Sequence, residues 1–356
     1  MKSKKILGVL PSYSPGGAEK VMLMYLNALE KRDLYLKLFV SNNIGPLRNK
    51  NINSIEHKYR RFLYAIPSLL RSIKANNIDI LLSTFPHTSI ILIIAKILKF
   101  HNCSIVVRQP NMILPSLNTS FKLRIMRFLY LKVINLADII IITSKAMSKE
   151  AQELGLIKNK LFLLSNPIDE LKIRRNITPT RTKRKQLKIV FVGRLSYQKG
   201  IDRVIQVFSY LDDIEFIVIG EGPEKKRLDK MCSQYNLDKK IKFYGFIKNP
   251  YSIIAGADYF LLPSRWEGMP NCVIESLALG TPVIAFKEIT SLKDFERNIM
   301  NQTIILTENT NSLLKLLKKL KPRKDYLKPR LRKSLLFNSL TEKSYRKKLD
   351  EKILSL

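Results

Sequence analysis

Two glutamates eight positions apart form the clearest chemical pattern in this sequence. Glu267 follows an apolar strand that ends near Pro263, and Glu275 falls about one turn into the helix predicted to begin at Asn271. A helix start offers free backbone N–H groups and a positive dipole end, and a carboxylate there can accept hydrogen bonds from adjacent hydroxyls. The pair therefore predicts a site for an anionic, polyhydroxylated ligand. Taken singly, Glu275 could only stabilise the helix dipole and Glu267 could be a solvated loop charge.

A second pattern supplies positive charge. Gly193 permits a tight turn after a predicted strand, and Arg194 and Lys199 follow it just before a predicted helix. Two cations beside a helix start suit a diphosphate. Gly220 and Gly222 lie in the same way after the next predicted strand.

The elements that must position these residues alternate between strands and helices along the chain. In the first half the apolar segments are KKILGVL, LYLKLFV, IDILLST, CSIVVRQ, ADIIIITS and KLFLLSN. In the second half they are LKIVFVG, IEFIVIG, KIKFYGF, DYFLLPS and TPVIAF. Their near-continuous apolar character is typical of parallel strands that are covered on both faces.

The sequence therefore predicts an α/β protein with two Rossmann-like domains, whose parallel sheets face each other across a cleft. The expected domains are 1–170 and 187–330, joined by a charged linker at 171–186. The final segment, 331–356, is predicted to be helical. It would either cap the second domain or cross back to the first.

Several of these motifs occur in the same order in retaining glycosyltransferases of the GT-B fold. The segment 265–285 resembles the E-x7-E region of the family called GT4, and 192–202 resembles its G-R-L-x-x-x-K-G segment. The turn at 219–223 is similar to the family's G-x-G-P turn, and FYGF at 243–246 lies where the family places the nucleotide base. The SPGGAE segment at 14–19 resembles the family's GGAE loop.

The resemblance spans roughly residues 6–286 and implies acceptor binding by the domain 1–170, nucleotide-sugar binding by the domain 187–330, and a role for each matched residue. Arg194, Lys199 and Glu267 are the implied catalytic residues: the two cations would neutralise the departing diphosphate in place of a metal ion, and Glu267 would hold the sugar. Glu275 would bind the ribose hydroxyls. The other implied donor contacts are Gly16, Gly17, Gly193, Gly220, Gly222, Phe246, Gly268, Met269, Pro270 and Asn271.

The resemblance also implies retention at the anomeric carbon, with no cofactor besides the nucleotide-sugar donor, for which UDP is the expected nucleotide. No D-x-D spacing occurs, which argues against the metal-bridged site of the other major glycosyltransferase fold. The G-x-G-x-x-G fingerprint is also missing, which argues against a nicotinamide enzyme.

Two regions depart from the family pattern. Many relatives have a histidine in the loop after the fifth strand of the first domain, whereas this chain has Gln109 there. Arg108 or Asn111 could contact the acceptor instead, and His87 is either a structural loop histidine or a catalytic one. After the last matched strand, the segment 286–292 replaces the family's Gly-Pro-x-Glu-Ile turn.

Composition indicates an anionic partner and a reducing compartment. The 356 residues include 63 Lys and Arg against 29 Asp and Glu, a formal net charge of +34 that both halves share. The three cysteines are widely spaced and form no CxxC pair. The apolar run at the N-terminus is interpreted as a first strand rather than a signal peptide, and no window has the ~18 uninterrupted apolar residues of a membrane span. We expect a cytoplasmic protein, peripheral on the inner face of the bacterial plasma membrane.

Two basic segments with aromatic residues, 58–66 and 121–130, could lie on an anionic bilayer or could be core helices with a basic outer face. Membrane docking would suit a lipid-linked glycan acceptor. The family resemblance thus implies transfer of a hexose or N-acetylhexosamine from a UDP-sugar in O-antigen, capsule or lipopolysaccharide biosynthesis.

Two alternatives stay open. One is a sugar-nucleotide epimerase or phosphorylase-like enzyme of the same fold, and the other is a basic nucleic-acid-binding protein. The chain has no recognisable nucleic-acid-binding motif, and the carboxylates of the predicted site would repel phosphate. Nucleic acid is therefore not expected as a partner.

Overall fold

The computed structural model of the protein describes residues 4–30, 34–48, 52–175, 177–178, 186–293, 303–323, 332–336, 347–349, 351–353 and 355–356. The chain forms two compact units, Met1–Pro167 with Glu342–Leu356, and Ile168–Thr341. Each unit is built around a parallel sheet, so the predicted α/β class with two Rossmann-like sheets is confirmed.

In its described residues the first unit has a seven-stranded sheet with the order β3-β2-β1-β4-β5-β6-β7. The strands are β1 (Lys5–Ser12), β2 (Tyr35–Asn42), β3 (Ser54–Glu56), β4 (Ile80–Ser83), β5 (Ser104–Arg108), β6 (Ile139–Ile142) and β7 (Leu161–Leu163). The helices are α1 (Gly17–Glu30), α2 (Ile66–Ala75), α3 (Pro86–Ile97), α4 (Ile113–Ser116), α5 (Phe121–Val133) and α6 (Lys145–Glu153). Every residue of β4 and β6 is buried, as expected for strands covered on both faces.

The second unit has, in its described residues, a six-stranded sheet with the order β10-β9-β8-β11-β12-β13. The strands are β8 (Leu187–Val192), β9 (Ile214–Ile219), β10 (Ile241–Phe243), β11 (Tyr259–Leu262), β12 (Val283–Phe286) and β13 (Ile304–Thr307). The helices are α7 (Glu170–Arg175), α8 (Asp202–Ile205), α9 (Lys225–Gln234), α10 (Tyr251–Gly256), α11 (Asn271–Ala278) and α12 (Thr310–Lys319).

The strand order of each sheet reverses at one point, between β1 and β4 in the first unit and between β8 and β11 in the second. In open parallel sheets, ligands bind beyond the carboxyl ends of the strands at such a point. In the second unit, the loops that leave this point carry Arg194 and Lys199 after β8, and Glu267 after β11. The sheet topology therefore brings the predicted catalytic residues to one edge.

The segment 171–186, expected to be a linker, is partly an element of the second unit. Helix α7 begins at Glu170, and Ile173 and Ile177 are buried in the core of that unit. The two isoleucines are four positions apart, so they can face the core together. The surrounding charged residues hide this apolar spacing in the sequence.

The chain returns to the first unit near its C-terminus. Residues 347–349 and 351–353 are helical, and Leu349 and Ile353 are buried in the same cluster as Tyr25 of α1. By contrast, Leu335 packs against the core of the second unit. The described parts of 331–356 therefore divide between the two units.

Candidate active site

The loops after β8 and β9 approach so closely that only glycine fits at two positions. Gly220 has a φ of +141°, and a Cβ there would lie 1.9 Å from the carbonyl oxygen of Gly193. A Cβ on Gly222 would lie 2.1 Å from the carbonyl oxygen of Leu195. The backbone N–H of Leu195 also donates a hydrogen bond to the carbonyl oxygen of Glu221 over 2.9 Å. Gly193, Gly220 and Gly222, all predicted donor contacts, therefore lock two loops together.

The loops after β8 and β11 are joined in the same way. Gly200 has a φ of +65°, and a Cβ there would lie 2.2 Å from the carbonyl oxygen of Pro263. The backbone N–H of Arg265 donates to the carbonyl oxygen of Gln198 over 2.7 Å. These contacts hold the loop that carries Lys199 beside the loop that carries Glu267.

Lys199 and Glu267 form a short ion pair at this junction, with 2.6 Å between Nζ and Oε1. Only 6% of the Glu267 side chain is exposed. The Ser264 hydroxyl donates to the same oxygen, Oε1, over 2.7 Å. Gln198 Nε2 donates to the carbonyl oxygen of Trp266 over 3.0 Å and lies 3.5 Å from the other carboxylate oxygen, Oε2. The structure thus brings two of the three predicted catalytic residues into direct contact.

The charges of this cluster act on one another. Burial acts to lower the pKa of Lys199, but the neighbouring Glu267 outweighs it, so the pKa lies above its ordinary value. The Lys199 ammonium therefore stays protonated at neutral pH. Burial raises the pKa of the Cys272 thiol to about 12; Glu267 and Glu275 push it upward and Lys199 pulls it downward. Both glutamates and the lysine are thus close enough to influence one thiol.

Arg194 lies on the same loop but is exposed, and within the described residues its guanidinium has no hydrogen bond or ion pair. Two nearby arginines are engaged. Arg265 donates to both carboxylate oxygens of Asp202, over 2.9 and 2.8 Å, and Arg203 pairs with Glu288. Arg194 is therefore available to an anionic ligand, whereas Arg203 and Arg265 hold the loops.

Gly268, Met269 and Pro270 are buried and connect Glu267 to the start of α11 at Asn271. The N-cap position is Pro270, which provides no side-chain hydrogen bond to the helix. The positive end of the α11 dipole is therefore separated along the chain from Glu267 of the ion pair only by these three residues.

An apolar surface lies at the end of β10. Gly245 has a φ of +66°, and its carbonyl oxygen accepts a hydrogen bond from Gly220 N over 2.7 Å. Tyr244 and Phe246, on either side of Gly245, are exposed. Phe246, the predicted contact of the base, thus stands beside the glycine loops.

Gly16 and Gly17 are in the first unit, whereas the other predicted site residues are in the second. Gly16 precedes α1 and Gly17 is the first residue of α1, at the switch point of the first sheet. Gly16 N donates to Ser14 O over 2.8 Å, and a Cβ on Gly16 would lie 2.1 Å from the Glu19 carboxylate. The end of the flexible Glu19 side chain therefore lies directly against Gly16.

The residues that replace the family's histidine region are bound within the first unit. Gln109 is buried; it accepts a hydrogen bond from the Tyr130 hydroxyl over 2.8 Å and donates to Asn111 O over 2.7 Å. Arg108 is also buried, and its Nη2 donates to Asn166 Oδ1 over 2.9 Å. In the described part of the chain, Arg108 Nε and Nη1 have no hydrogen-bond partner.

His87 lies in the first turn of α3, between the rings of Phe62 and Phe85, each with its centroid 5.8 Å away. Burial lowers its pKa below the ordinary value, so the imidazole is neutral at pH 7. The aromatic contacts give it a packing role.

Sequence reasoning missed Ser264 and Gln198. Both act by hydrogen bonding to the segment around Glu267, and no charge or glycine pattern marks such a role. Their one signal was position, since Ser264 follows a strand end and Gln198 precedes Lys199.

Within the described ranges, no three His, Cys, Asp or Glu side chains are grouped so that they could hold a metal ion. Over the same ranges, no helix combines the length and the apolar character needed to cross a bilayer.

Two protein-family models match the chain, one on each half. The model described as Glycosyltransferase Family 4 matches residues 15–170, and the model described as Glycosyl transferases group 1 matches residues 172–332.

Three curated relatives illustrate the sequence similarity. An uncharacterised glycosyltransferase of Methanocaldococcus jannaschii is 32% identical over 42% of this chain and 39% of its own length. The N-acetylgalactosamine-N,N'-diacetylbacillosaminyl-diphospho-undecaprenol 4-alpha-N-acetylgalactosaminyltransferase of Campylobacter jejuni is 26% identical over 57% of this chain and 56% of its own length. The O-antigen biosynthesis glycosyltransferase WclY of Escherichia coli is 40% identical over 26% of each chain. The chain thus matches less than two thirds of the length of each.

Solved structures share the fold over nearly the whole chain. HepE of Anabaena, solved in complex with UDP-glucose, has a TM-score of 0.79 at 17% identity and covers 99% of this chain and 100% of its own. WaaG, a glycosyltransferase of lipopolysaccharide biosynthesis, has a TM-score of 0.72 at 14% identity, covering 97% and 99%. The fold is therefore GT-B. With one family model on each half, the chain belongs to the glycosyltransferases of group 1, of the GT4 type.

Proposed function

We propose that the protein is a retaining glycosyltransferase that moves a hexose or N-acetylhexosamine from a UDP-sugar to a lipid-linked glycan, without a metal ion. The observation that carries this proposal is the Lys199–Glu267 pair beside Glu275 at the switch-point edge of the second sheet. A nucleotide-sugar has an anionic diphosphate between two polyhydroxylated rings. At this edge of the sheet, the cations would bind the diphosphate, and the neighbouring carboxylates would accept hydrogen bonds from the hydroxyls of the two rings.

The cations would act on the leaving group. Lys199 is held protonated by Glu267, Arg194 is exposed on the same loop, and the α11 dipole adds positive potential. Such preorganised charge stabilises the negative charge that develops on the departing diphosphate. The bond between the anomeric carbon and the phosphate oxygen breaks, and its electron pair stays on that oxygen.

The acceptor hydroxyl would then attack the same face of the sugar, and its proton would pass to the departing phosphate oxygen. This route retains the anomeric configuration and needs no enzymic base. It is consistent with the state of Glu267, whose Oε1 is already engaged by Lys199 and Ser264.

The two glutamates would divide the hydroxyl groups of the donor. Among the described residues, Glu267 Oε2 has only the long 3.5 Å contact with Gln198, so it can accept a hydrogen bond from a sugar hydroxyl. Glu275, in α11, would bind the ribose, and Phe246 would contact the base. The backbone from Gly268 to Asn271 would contact the sugar or the phosphates.

The names of similar proteins support the choice of donor and acceptor. The Campylobacter relative acts on a diphospho-undecaprenol-linked acceptor, WclY acts in O-antigen biosynthesis, and HepE was solved with UDP-glucose. By analogy, this chain would act in surface-polysaccharide assembly such as that of O-antigen, capsule or lipopolysaccharide. Its place would be the inner face of a bacterial plasma membrane, with no nucleic acid as partner.

The direct test is a screen for nucleoside diphosphate release from UDP-, GDP- and ADP-sugars in the presence of EDTA. Slow hydrolysis requires no knowledge of the acceptor. We expect UDP release that persists in Lys318→Ala, a matched change at an exposed lysine of α12, and is lost in Lys199→Ala. No release from any donor would contradict the proposal. An epimerised sugar or a sugar phosphate as product would instead identify the epimerase or phosphorylase alternative.

A further inference from the structure

Helix α5 presents an apolar stripe away from the core of the first unit. Tyr130 is buried, whereas Phe121, Ile125 and Phe128 are 77%, 47% and 60% exposed. At 3.6 residues per turn, these three positions fall on one side of the helix, opposite Tyr130. A surface helix normally turns its apolar side inward, so this outward stripe is unusual.

The neighbouring helix α3 also ends in exposed apolar residues. Helix α3 packs against α5, and Lys96 Nζ bonds Asp138, just beyond the end of α5, over 3.0 Å. The exposed apolar residues of the two helices and of the chain just after α3 form what we call the α3–α5 face: Ile94, Ile97, Leu98, Phe100, Phe121, Ile125, Phe128 and Leu129. Monomeric proteins rarely expose a patch of this kind without an interaction partner.

The α3–α5 face is bordered by cations. Lys122 and Arg124 are exposed on either side of the stripe, and Lys132 lies at its end with Nζ 5.5 Å from the centre of the Phe128 ring. The sequence has no Asp or Glu between Asp79 and Asp138, and Asp138 is paired with Lys96. The apolar face therefore has a basic border.

We propose that the α3–α5 face docks the protein on a bilayer rich in anionic lipid. Aromatic and aliphatic side chains would enter the boundary between headgroups and acyl chains, while the lysines and arginines would bind lipid phosphates. Duplex DNA would use the cations but would leave the large apolar side chains without a partner. The combination of both features fits a membrane surface better.

Docking through this face would also serve the proposed transfer. Helix α5 follows β5, so its first residue, Phe121, lies towards the carboxyl edge of the first sheet. Leu114 of α4, in the same connection, is also exposed. A bilayer on this face would bring a lipid-linked acceptor near that edge. This last step rests on the proposed function, whereas the docking itself does not.

The test is sedimentation of the full chain with vesicles of phosphatidylcholine, with and without about 30% phosphatidylglycerol. We expect binding to the anionic vesicles that weakens with added salt. The double variant Phe121→Ser with Phe128→Ser should bind at least tenfold more weakly, and Arg124→Ala with Lys132→Ala about fivefold more weakly for each cation removed. The matched controls, Tyr210→Ser in the second unit and Lys149→Ala on α6, are exposed changes outside the face and should bind as the unaltered protein does.

The docking proposal would be overturned by no binding of the unaltered protein to anionic vesicles, or by equal binding of the face variants and the controls. Binding to duplex DNA in preference to vesicles would also do so. Donor hydrolysis, measured without vesicles, should be the same in all these variants and shows that they fold. Vesicle binding without hydrolysis would leave docking intact and remove the proposed function, and hydrolysis without vesicle binding would do the reverse.

Discussion

The carboxyl edges of the two sheets differ in the side chains that they carry and in how those side chains are held. At the edge of the second sheet, glycines interlock three loops and a buried ion pair, Lys199–Glu267, lies at the junction with exposed Arg194 on the same loop. At the edge of the first sheet, Gln109 is bonded to Tyr130 and to Asn111. The first unit's distinctive feature is the apolar, basic α3–α5 face on its side.

The difference suggests a division of labour. A nucleotide diphosphate is the same chemical object in every turnover, and a rigid site with fixed charges suits it. A lipid-linked acceptor is delivered by a membrane, which a broad amphipathic surface recognises without a deep pocket. The following variants can break or sharpen this comparison.

Lys199→Ala should have the largest effect. Removing a preorganised cation at a developing charge should lower the turnover of donor hydrolysis by on the order of 10² or more. Turnover and UDP affinity should be measured together, with Lys318→Ala as the matched control. Unchanged turnover would remove Lys199 from the mechanism and erase the contrast between the two edges.

Glu275→Ala should weaken donor binding on the order of tenfold, because a charged acceptor of ribose hydrogen bonds is lost. Turnover at saturating donor should change little, so the effect should appear in KM. Glu153→Ala, at an exposed glutamate of α6, is the matched control. A fall in turnover with unchanged KM would contradict the assignment of Glu275 to the ribose.

Ser264→Ala should lower turnover about fivefold, because one hydrogen bond that orients Glu267 is lost. Ser264→Thr keeps the hydroxyl and should restore most of the activity. If both variants behave alike, the hydroxyl does not position the carboxylate, and the second edge is less rigid than we infer.

The smallest expected effect is on the pH dependence of the protein's stability, through a histidine of the first unit. Burial lowers the pKa of His87 in the folded chain. As the pH drops, the unfolded chain therefore binds a proton at this imidazole near the ordinary pKa of 6.5, before the folded chain does. Stability should therefore fall as the pH drops below about 6.5, and level off once the folded pKa is passed. His87→Phe should reduce this dependence in thermal melts, although His101, whose pKa is also lowered, will leave a remainder. An equal pH dependence in both proteins would show that His87 is not the group involved.

Much of the second edge could be predicted from the sequence, because its chemistry lies in short motifs at the ends of apolar strands. These motifs, with Arg194, Lys199, Glu267 and the glycines, each follow an apolar segment that the sequence identifies as a buried strand. The interlock between Gly220 and Gly193 could not be predicted, since it depends on how two loops meet in space.

The first unit was harder to predict. The segments 58–66 and 121–130 look alike in composition, and each divides its large apolar side chains between core and surface. Tyr59 and Phe62 pack against the core while Leu63 and Tyr64 are exposed, and in α5 Tyr130 is buried while Phe121, Ile125 and Phe128 are exposed. Helical periodicity shows that a stripe exists but not which neighbour covers it. The contribution of α3 to the same face depends on tertiary packing, which composition does not encode.

The most direct test of the central claim uses the chain's one tryptophan, Trp266. It is adjacent to Glu267, and its carbonyl oxygen accepts the hydrogen bond from Gln198. We predict that titration with UDP in EDTA produces a saturable change in Trp266 fluorescence, with at least tenfold weaker affinity in Lys199→Ala and unaltered affinity in Lys318→Ala. UDP binding, seen by equilibrium dialysis, that leaves the fluorescence unchanged or is equally tight in Lys199→Ala would contradict the placement of the diphosphate at this edge.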